Sequence, residues 1–252
     1  MDRFPAEFSD LLNKRGRRLL VNPPQFEELI ARRETPIVYL DDVIDAGVGA
    51  ECIRLLDDSV YPRLRRMHAP IDREALTAMK ENYKDKLPKT VRVKTATLNS
   101  RKSQALDAAR EIGLDAMMMS KSFRDLAQKF TRHHLVDKTW DRQVICYETG
   151  DYSGPHNDHH PENDESRNGF VDLHIMFSNS AVAQQLLVYE RRGFLSVAQD
   201  VSQTPAISAY RLPFWHYTTP LQARPGAEER ARRWLLLGTF HYDPPLPKLQ
   251  YR

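Results

Sequence analysis

Beyond about residue 140 the sequence breaks into short β-branched and apolar runs separated by turn residues, and this texture narrows the possible folds more than any other feature. The runs are Arg142–Tyr147, Gly169–Phe177, Gln185–Glu190, Phe194–Ala198, Ala206–Leu212 and Arg233–Tyr242. Strands of this length and spacing suit a sandwich or barrel rather than a sheet of βαβ units. The first 140 residues read differently. Helices are expected over Phe4–Arg18 and Pro24–Arg33, with a brief strand at Pro36–Leu40. Asp41 and Asp42 read as a helix cap, and Ile53, Leu55, Leu56, Val60, Leu64 and Met67 recur at the spacing of an amphipathic helix. A helix over Arg73–Tyr83 follows, then a strand alternating over Lys89–Leu98, then helices over Ser103–Gly113 and Asp115–His133. Met117, Met118 and Met119 read as core filler, because thioethers do not suit Fe(II) or Zn(II). A mainly helical part, 1–140, is expected to pack on a β-rich part, 141–252, as one compact unit, since each needs the other to cover an apolar face.

Composition excludes several classes of protein. No apolar stretch is long enough to span a bilayer, and the segment Met1–Phe8 has no apolar core of the kind a signal peptide needs. Two cysteines, Cys52 and Cys146, make no disulfide framework, which suits a reducing cytoplasm. Residues 1–140 carry 26 Lys+Arg against 21 Asp+Glu, and the remainder 11 against 13. That excess is too small for a nucleic-acid surface. Residues 80–138 are more basic, with 14 against 7, yet have few aromatics for stacking and read as a solvated helical face. Neither a nucleic-acid nor a membrane partner is expected.

Chemistry concentrates in Tyr147–Asp158. On an extended backbone, side chains at i and i+2 share a face, so His156 and Asp158 can grip one cation, with His216 as a third ligand. Two histidines and a carboxylate on one face of a metal leave positions open, as in non-haem Fe(II) oxygenases. Other histidines compete. His160-Pro161-Glu162 repeats the pattern, but Pro161 would break strand geometry, and His159 and His160 suit a solvated loop. His133 and His134 do not share a helical face. His174, two residues from Asp172, could line a pocket or be a satisfied sheet histidine.

Three features in order resemble the Fe(II)/2-oxoglutarate-dependent dioxygenase superfamily, in particular its prolyl-4-hydroxylase-like branch. They are Tyr147-x-x-Gly150 ahead of Pro155-His156-x-Asp158, then His216-x-x-x-Pro220-Leu221, then Arg233-Trp-Leu-Leu-Leu-Gly-Thr-Phe240. The resemblance implies an α+β fold: a double-stranded β-helix (jelly-roll) core with the helical N-terminal part packed on it. It further implies Fe(II) held by His156, Asp158 and His216, with 2-oxoglutarate as co-substrate and O2 as oxidant. Arg233 would pair with the far carboxylate of 2-oxoglutarate, for which a guanidinium offers two parallel donors. Arg232 and Arg230 are the competing positions, and Tyr147 matches a tyrosine that assists the same co-substrate. The implied reaction is hydroxylation of a C–H bond with release of succinate and CO2. The alternative is a cupin-like metal-binding barrel with another activity or none. Two departures stand out: Gln184-Gln185-Leu186 replaces a Gly-Gly-Glu-like turn, and Pro225–Arg230 lengthens the interval before Arg233. The polar stretch Pro161–Gly169 could cover the site, with Arg167 facing substrate. A small, amino-acid-like substrate is expected; the oligomeric state is left open.

Overall fold

The computed structural model describes residues 2–69, 90–99, 103–158, 168–191, 195–202 and 205–247. The expected helix over Arg73–Tyr83, and His159, His160 and Arg167, lie outside these residues.

The main sheet has the order β1-β10-β6-β13-β4-β3-β2, with β5 also on β3. Its strands are β1 (Ile37–Asp41), β2 (Arg65–Ala69), β3 (Val91–Thr97), β4 (Asp141–Tyr147), β5 (Tyr152–Ser153), β6 (Phe170–Ser178), β10 (Ala206–Leu212) and β13 (Arg233–Phe240). Facing it are a three-stranded sheet of β11 (His216–Thr218), β8 (Leu186–Arg191) and β9 (Leu195–Asp200), and the pair β7 (Val182–Gln184) and β12 (Gln222–Ala223). Every pairing is antiparallel. The architecture is α+β, with a double-stranded β-helix at its centre. β1, β2 and β3 join the main sheet from the first 140 residues.

The centre of the main sheet is buried on both faces, so β6 is buried at eight of its nine positions. Its outer face, with Val144, Leu173, Ile175, Phe177, Trp234 and Leu236, packs against Phe8, Phe26, Met117, Met118, Phe123 and Phe130 of the helical layer. Its inner face, with Tyr147, Phe170, Met176, Tyr210 and Leu235, forms a second cluster with Leu187, Val201 and Leu221 of the opposing strands and loops. Each such residue contributes roughly 1.5–3 kcal/mol by leaving water. Alternation along β13 therefore decides which core each side chain joins.

The helices are shorter than the apolar spacing predicts, and local chemistry explains where they stop. Residues 4–18 divide into a 3-10 turn (Phe8–Leu11) and α1 (Lys14–Leu19), because the Asn13 side chain accepts from Gly16 N at 2.8 Å and starts a new helix. Then come α2 (Phe26–Ala31) and α3 (Ala46–Leu55). The cap of α3 is Asp45, not Asp41 or Asp42: its carboxylate accepts from Gly47 N at 2.9 Å and Val48 N at 3.0 Å. The helix expected to run to Met67 instead passes through a π turn (Leu56–Val60) and ends around Pro62, which has no N–H to give. Met67 lies on β2, where Arg66 is drawn to the fully buried Asp151 at 2.6 Å. After α4 (Gln104–Glu111), the helix expected over 115–133 divides into α5 (Leu114–Met118) and α6 (Lys121–Lys129). Ser120 caps α6 by accepting from Phe123 N at 3.2 Å, while Trp140 Nε1 donates to the Met118 carbonyl at 3.0 Å. Met117 and Met118 are fully buried, as core filler should be. No helix among the described residues is long and apolar enough to cross a membrane.

Gly238 on β13 marks the closest approach of α6 to the sheet, since a Cβ there would lie 2.6 Å from Phe123 Cε1. Gly238→Ala is expected to cost about 1–3 kcal/mol by forcing α6 outward. Urea denaturation measures this, and an unchanged midpoint would show that the helix layer gives way freely.

Candidate metal centre and co-substrate cavity

His156 and His216 are brought together by backbone, not by side-chain preference. They form an isolated antiparallel bridge: His156 N donates to the His216 carbonyl at 3.1 Å, and His216 N returns the bond at 2.9 Å. Their ring centroids are 4.2 Å apart. In each, Nδ1–H donates to a carbonyl two residues earlier, Gly154 O at 2.6 Å and Phe214 O at 2.9 Å. That bond fixes the tautomer and leaves the Nε2 lone pair for a cation. Both Nε2 atoms face the same Asp158 oxygen, Oδ2, at 3.3 Å and 3.7 Å. One donor atom from each of the three residues lies within 4.8 Å of the others.

The geometry corrects one premise of the sequence reading. Residues 156 and 158 are not an extended i, i+2 pair, because Asp158 sits at φ 52° in the left-handed region. Aspartate tolerates that region better than most residues. The turn brings the carboxylate back beneath both imidazoles, so the three side chains converge by a different path.

They open into a cavity of about 710 Å³ also lined by Tyr147, His174, Tyr210 and Arg233. Arg233 is 3% exposed. Its Nε donates to Val201 O at 3.0 Å, Nη1 to Gln185 Oε1 at 3.2 Å and Nη2 to Met176 Sδ at 3.0 Å. These bonds use three of the guanidinium's five donors. Among the described residues no carboxylate lies within ion-pair distance of it. Burial presses its pKa down, against the pull of Tyr147, Tyr210 and Tyr39 around it. A buried charge with no carboxylate within ion-pair distance is costly, and an anion at this end of the cavity would offset that cost. Tyr147, whose ring lies 5.1 Å from the guanidinium carbon, is itself buried. Arg232 points the other way, against Asp57 at 3.6 Å and over the Tyr61 ring at 3.9 Å. Arg230 is exposed.

Gln185, one of the residues that depart from the family pattern, is fully buried. Its Nε2 donates to Asp151 O at 3.2 Å and Thr219 O at 3.0 Å, which leaves Oε1 aimed at Arg233. The sequence offers no signal for this clamp beyond an unexpected amide at a turn. His174 is 6% exposed, bonded through Nδ1 to Ser208 Oγ at 3.0 Å and set edge-on to Tyr210 at 4.4 Å. Burial, helped by His216 and Arg233, drops its pKa to about 3, so it is neutral at neutral pH. His133 and His134 are exposed.

The donor set fits a divalent cation that accepts imidazole and carboxylate, and the Arg233 pocket fits a carboxylate beside it. No family model and no curated protein matches the sequence. Among solved structures the chain is similar to a 2OG-Fe(II) oxygenase-family oxidoreductase from Burkholderia pseudomallei, with TM-score 0.54 and 10% identity, covering 85% of this chain and 88% of that one. A prolyl hydroxylase from Trichoplax adhaerens, in complex with a hypoxia-inducible-factor peptide fragment, gives TM-score 0.52 at 11% identity over 94% and 96% of the two chains. The α-ketoglutarate-dependent carbocyclase SnoK from nogalamycin biosynthesis gives 0.50 at 12% over 91% of each. At these identities the likeness is one of fold. The chain has the double-stranded β-helix found in 2-oxoglutarate- and iron-dependent oxygenases, prolyl hydroxylases among them.

His174 gives this site a pH signature. Its folded pKa of about 3 lies below the usual value near 6.5, so between those limits the unfolded chain binds more protons. Stability therefore falls as pH drops through that window, by up to about 1.4 kcal/mol per unit from this group. His174→Gln is expected to flatten the dependence in urea unfolding at a series of pH values; an unaltered slope would refute it.

Proposed function

We propose that the protein is a non-haem Fe(II)- and 2-oxoglutarate-dependent dioxygenase that hydroxylates a C–H bond of a small-molecule substrate. The observation that carries the reading is the shared cavity: two imidazole Nε2 atoms and a carboxylate converge in a cavity that also holds a buried arginine with no carboxylate within ion-pair distance among the described residues. His156, Asp158 and His216 would hold the iron, and Arg233, with Tyr147 beside it, the distal carboxylate of 2-oxoglutarate. Bound there with its co-substrate, ferrous iron would activate O2, the oxidant, one oxygen atom of which goes to the substrate C–H bond and the other into succinate as 2-oxoglutarate loses CO2.

The chain's own residues do the positioning. The carbonyls of Gly154 and Phe214 fix both rings through Nδ1, so that each would present Nε2 to the cation. Gln185 and Val201 fix the Arg233 fork so that its remaining N–H groups meet a carboxylate in one orientation. Leu187 and Leu235 line the cavity with apolar surface, which limits water around the reacting groups. His174, held neutral, adds no charge to the pocket beside the triad.

Anaerobic titration with Fe(II) and 2-oxoglutarate tests the reading. A weak visible charge-transfer band is expected, absent in His156→Ala and demanding at least about tenfold more 2-oxoglutarate in Arg233→Ala, as befits loss of a charged hydrogen-bond pair. Metal binding without the band, and without succinate release in air, would instead favour a metal-binding barrel of another activity.

A further inference from the structure

His174 presents to the cavity a ring nitrogen, Nε2, that has no hydrogen-bond partner among the described residues. Strand register says where that nitrogen stands. In rows across β4, β13 and β6, Arg233 faces Tyr147, Leu235 lies between Ile145 and Met176, and Leu237 lies between Gln143 and His174. Met176 takes the bond from Arg233 Nη2, and His174 is the next inward residue along β6, about 7 Å further on. Beside it stands the Tyr210 ring, its centroid 4.4 Å from that of His174 and 5.6 Å from that of His216. A dicarboxylate anchored at Arg233 and reaching toward the His156–Asp158–His216 group runs along this wall.

Two hydroxyls behind the ring set its tautomer. His174 and Ser208 are paired in register, with Nδ1 3.0 Å from Ser208 Oγ. The Tyr210 hydroxyl bonds to the same serine and has no other hydrogen-bond partner among the described residues. Burial pushes the phenol's pKa up, so it keeps its proton and gives it to the Ser208 oxygen. The serine hydrogen then goes to Nδ1, and the one N–H of the neutral imidazole falls on Nε2. The opposite direction would bury the phenol O–H without an acceptor, which costs more than either bond contributes. His156 and His216 are turned the other way, with Nδ1 on a carbonyl and Nε2 toward the cation site. His174 is therefore a hydrogen-bond donor in the cavity and not a further metal ligand.

We infer that His174 is a specificity-determining residue for the oxo acid: its Nε2–H donates to an oxygen at the 2-oxo-carboxylate end of 2-oxoglutarate, while Arg233 holds the far carboxylate. Gripped at both ends, the ligand has one direction and one register in the cavity. A carboxylate with a hydrocarbon end would fill the Arg233 pocket and leave the buried N–H unpaired, so the wall selects against it. The identity of the ligand rests on the oxygenase reading; the donor state of Nε2 does not.

Two measurements separate these claims. Nitrogen NMR of the metal-free protein reads the tautomer, with the His174 signals identified by their loss in His174→Gln. A proton on Nε2 is expected, and a proton on Nδ1 in its place would overturn the assignment whatever the ligand. Anaerobic Fe(II) titration with 2-oxoglutarate, followed by the charge-transfer band, then reads the contact. His174→Leu is expected to need about tenfold or more oxo acid for half-saturation and to shift the band maximum, as loss of a hydrogen bond to a charged group implies. His174→Gln keeps an N–H donor and is expected to recover to within about threefold of the unaltered protein. Unchanged half-saturation in His174→Leu, or an equal loss in both variants, would overturn the role while leaving the oxygenase reading intact. No band in the unaltered protein would instead sink that reading and the identity of the ligand with it.

Discussion

The structure turns on a single two-bond bridge, the reciprocal N–H to carbonyl pairing of His156 and His216. It joins residues 60 apart in sequence and sets both rings side by side before any cation arrives. Most of a metal site's cost is the ordering of its ligands, and a cation bound at this group would find much of that cost already met by the backbone bridge. Asp158 needs a left-handed turn to reach the same point.

A second constraint acts through solvent exclusion. Arg233 and Asp151 are both charged and buried, yet they are handled in opposite ways. Asp151 meets Arg66 and Arg92 at 2.6 and 3.0 Å and ties β2 and β3 to the turn after β4. Among the described residues Arg233 donates to a carbonyl, an amide and a thioether, beside the Tyr147 ring, with no carboxylate within ion-pair distance. The first arrangement is a finished structural network; the second leaves room for an anion to complete it. Two buried charges with such different surroundings separate scaffold from site more clearly than either burial or residue type does alone.

How much of this could be read from the sequence depended on range. Five of the six strands expected after residue 140 overlap observed strands for nearly their whole length, because alternation is a local signal; Phe194–Ala198 matches β9 from Leu195 onward. His156, Asp158 and His216 stood out as residue types at suggestive spacings, although the extended geometry that first linked 156 to 158 is not the one the chain adopts. Helix ends went astray where a single side chain outweighed periodicity, as at Asn13, Asp45 and Ser120, and at Pro62. The choice between Arg232 and Arg233 needed the side of the strand, which only the packing of Trp234 into the outer core and Leu235 into the inner one reveals. The Gln185 clamp and the rows across β4, β13 and β6 were out of reach, since they depend on register between strands distant in sequence.

The double burial of the main sheet has a practical corollary. Side chains on one parity of β13, Trp234, Leu236 and Phe240, belong wholly to the helix-covered layer, while the other parity faces the cavity. Selection can therefore alter ligand preference along 235, 237 and 239 without disturbing the layer that keeps the chain folded, and can tune folding through the intervening residues without touching ligand preference. A chain organised this way can drift far in sequence while its cavity keeps its shape, which accords with a shared fold at identities near 10%.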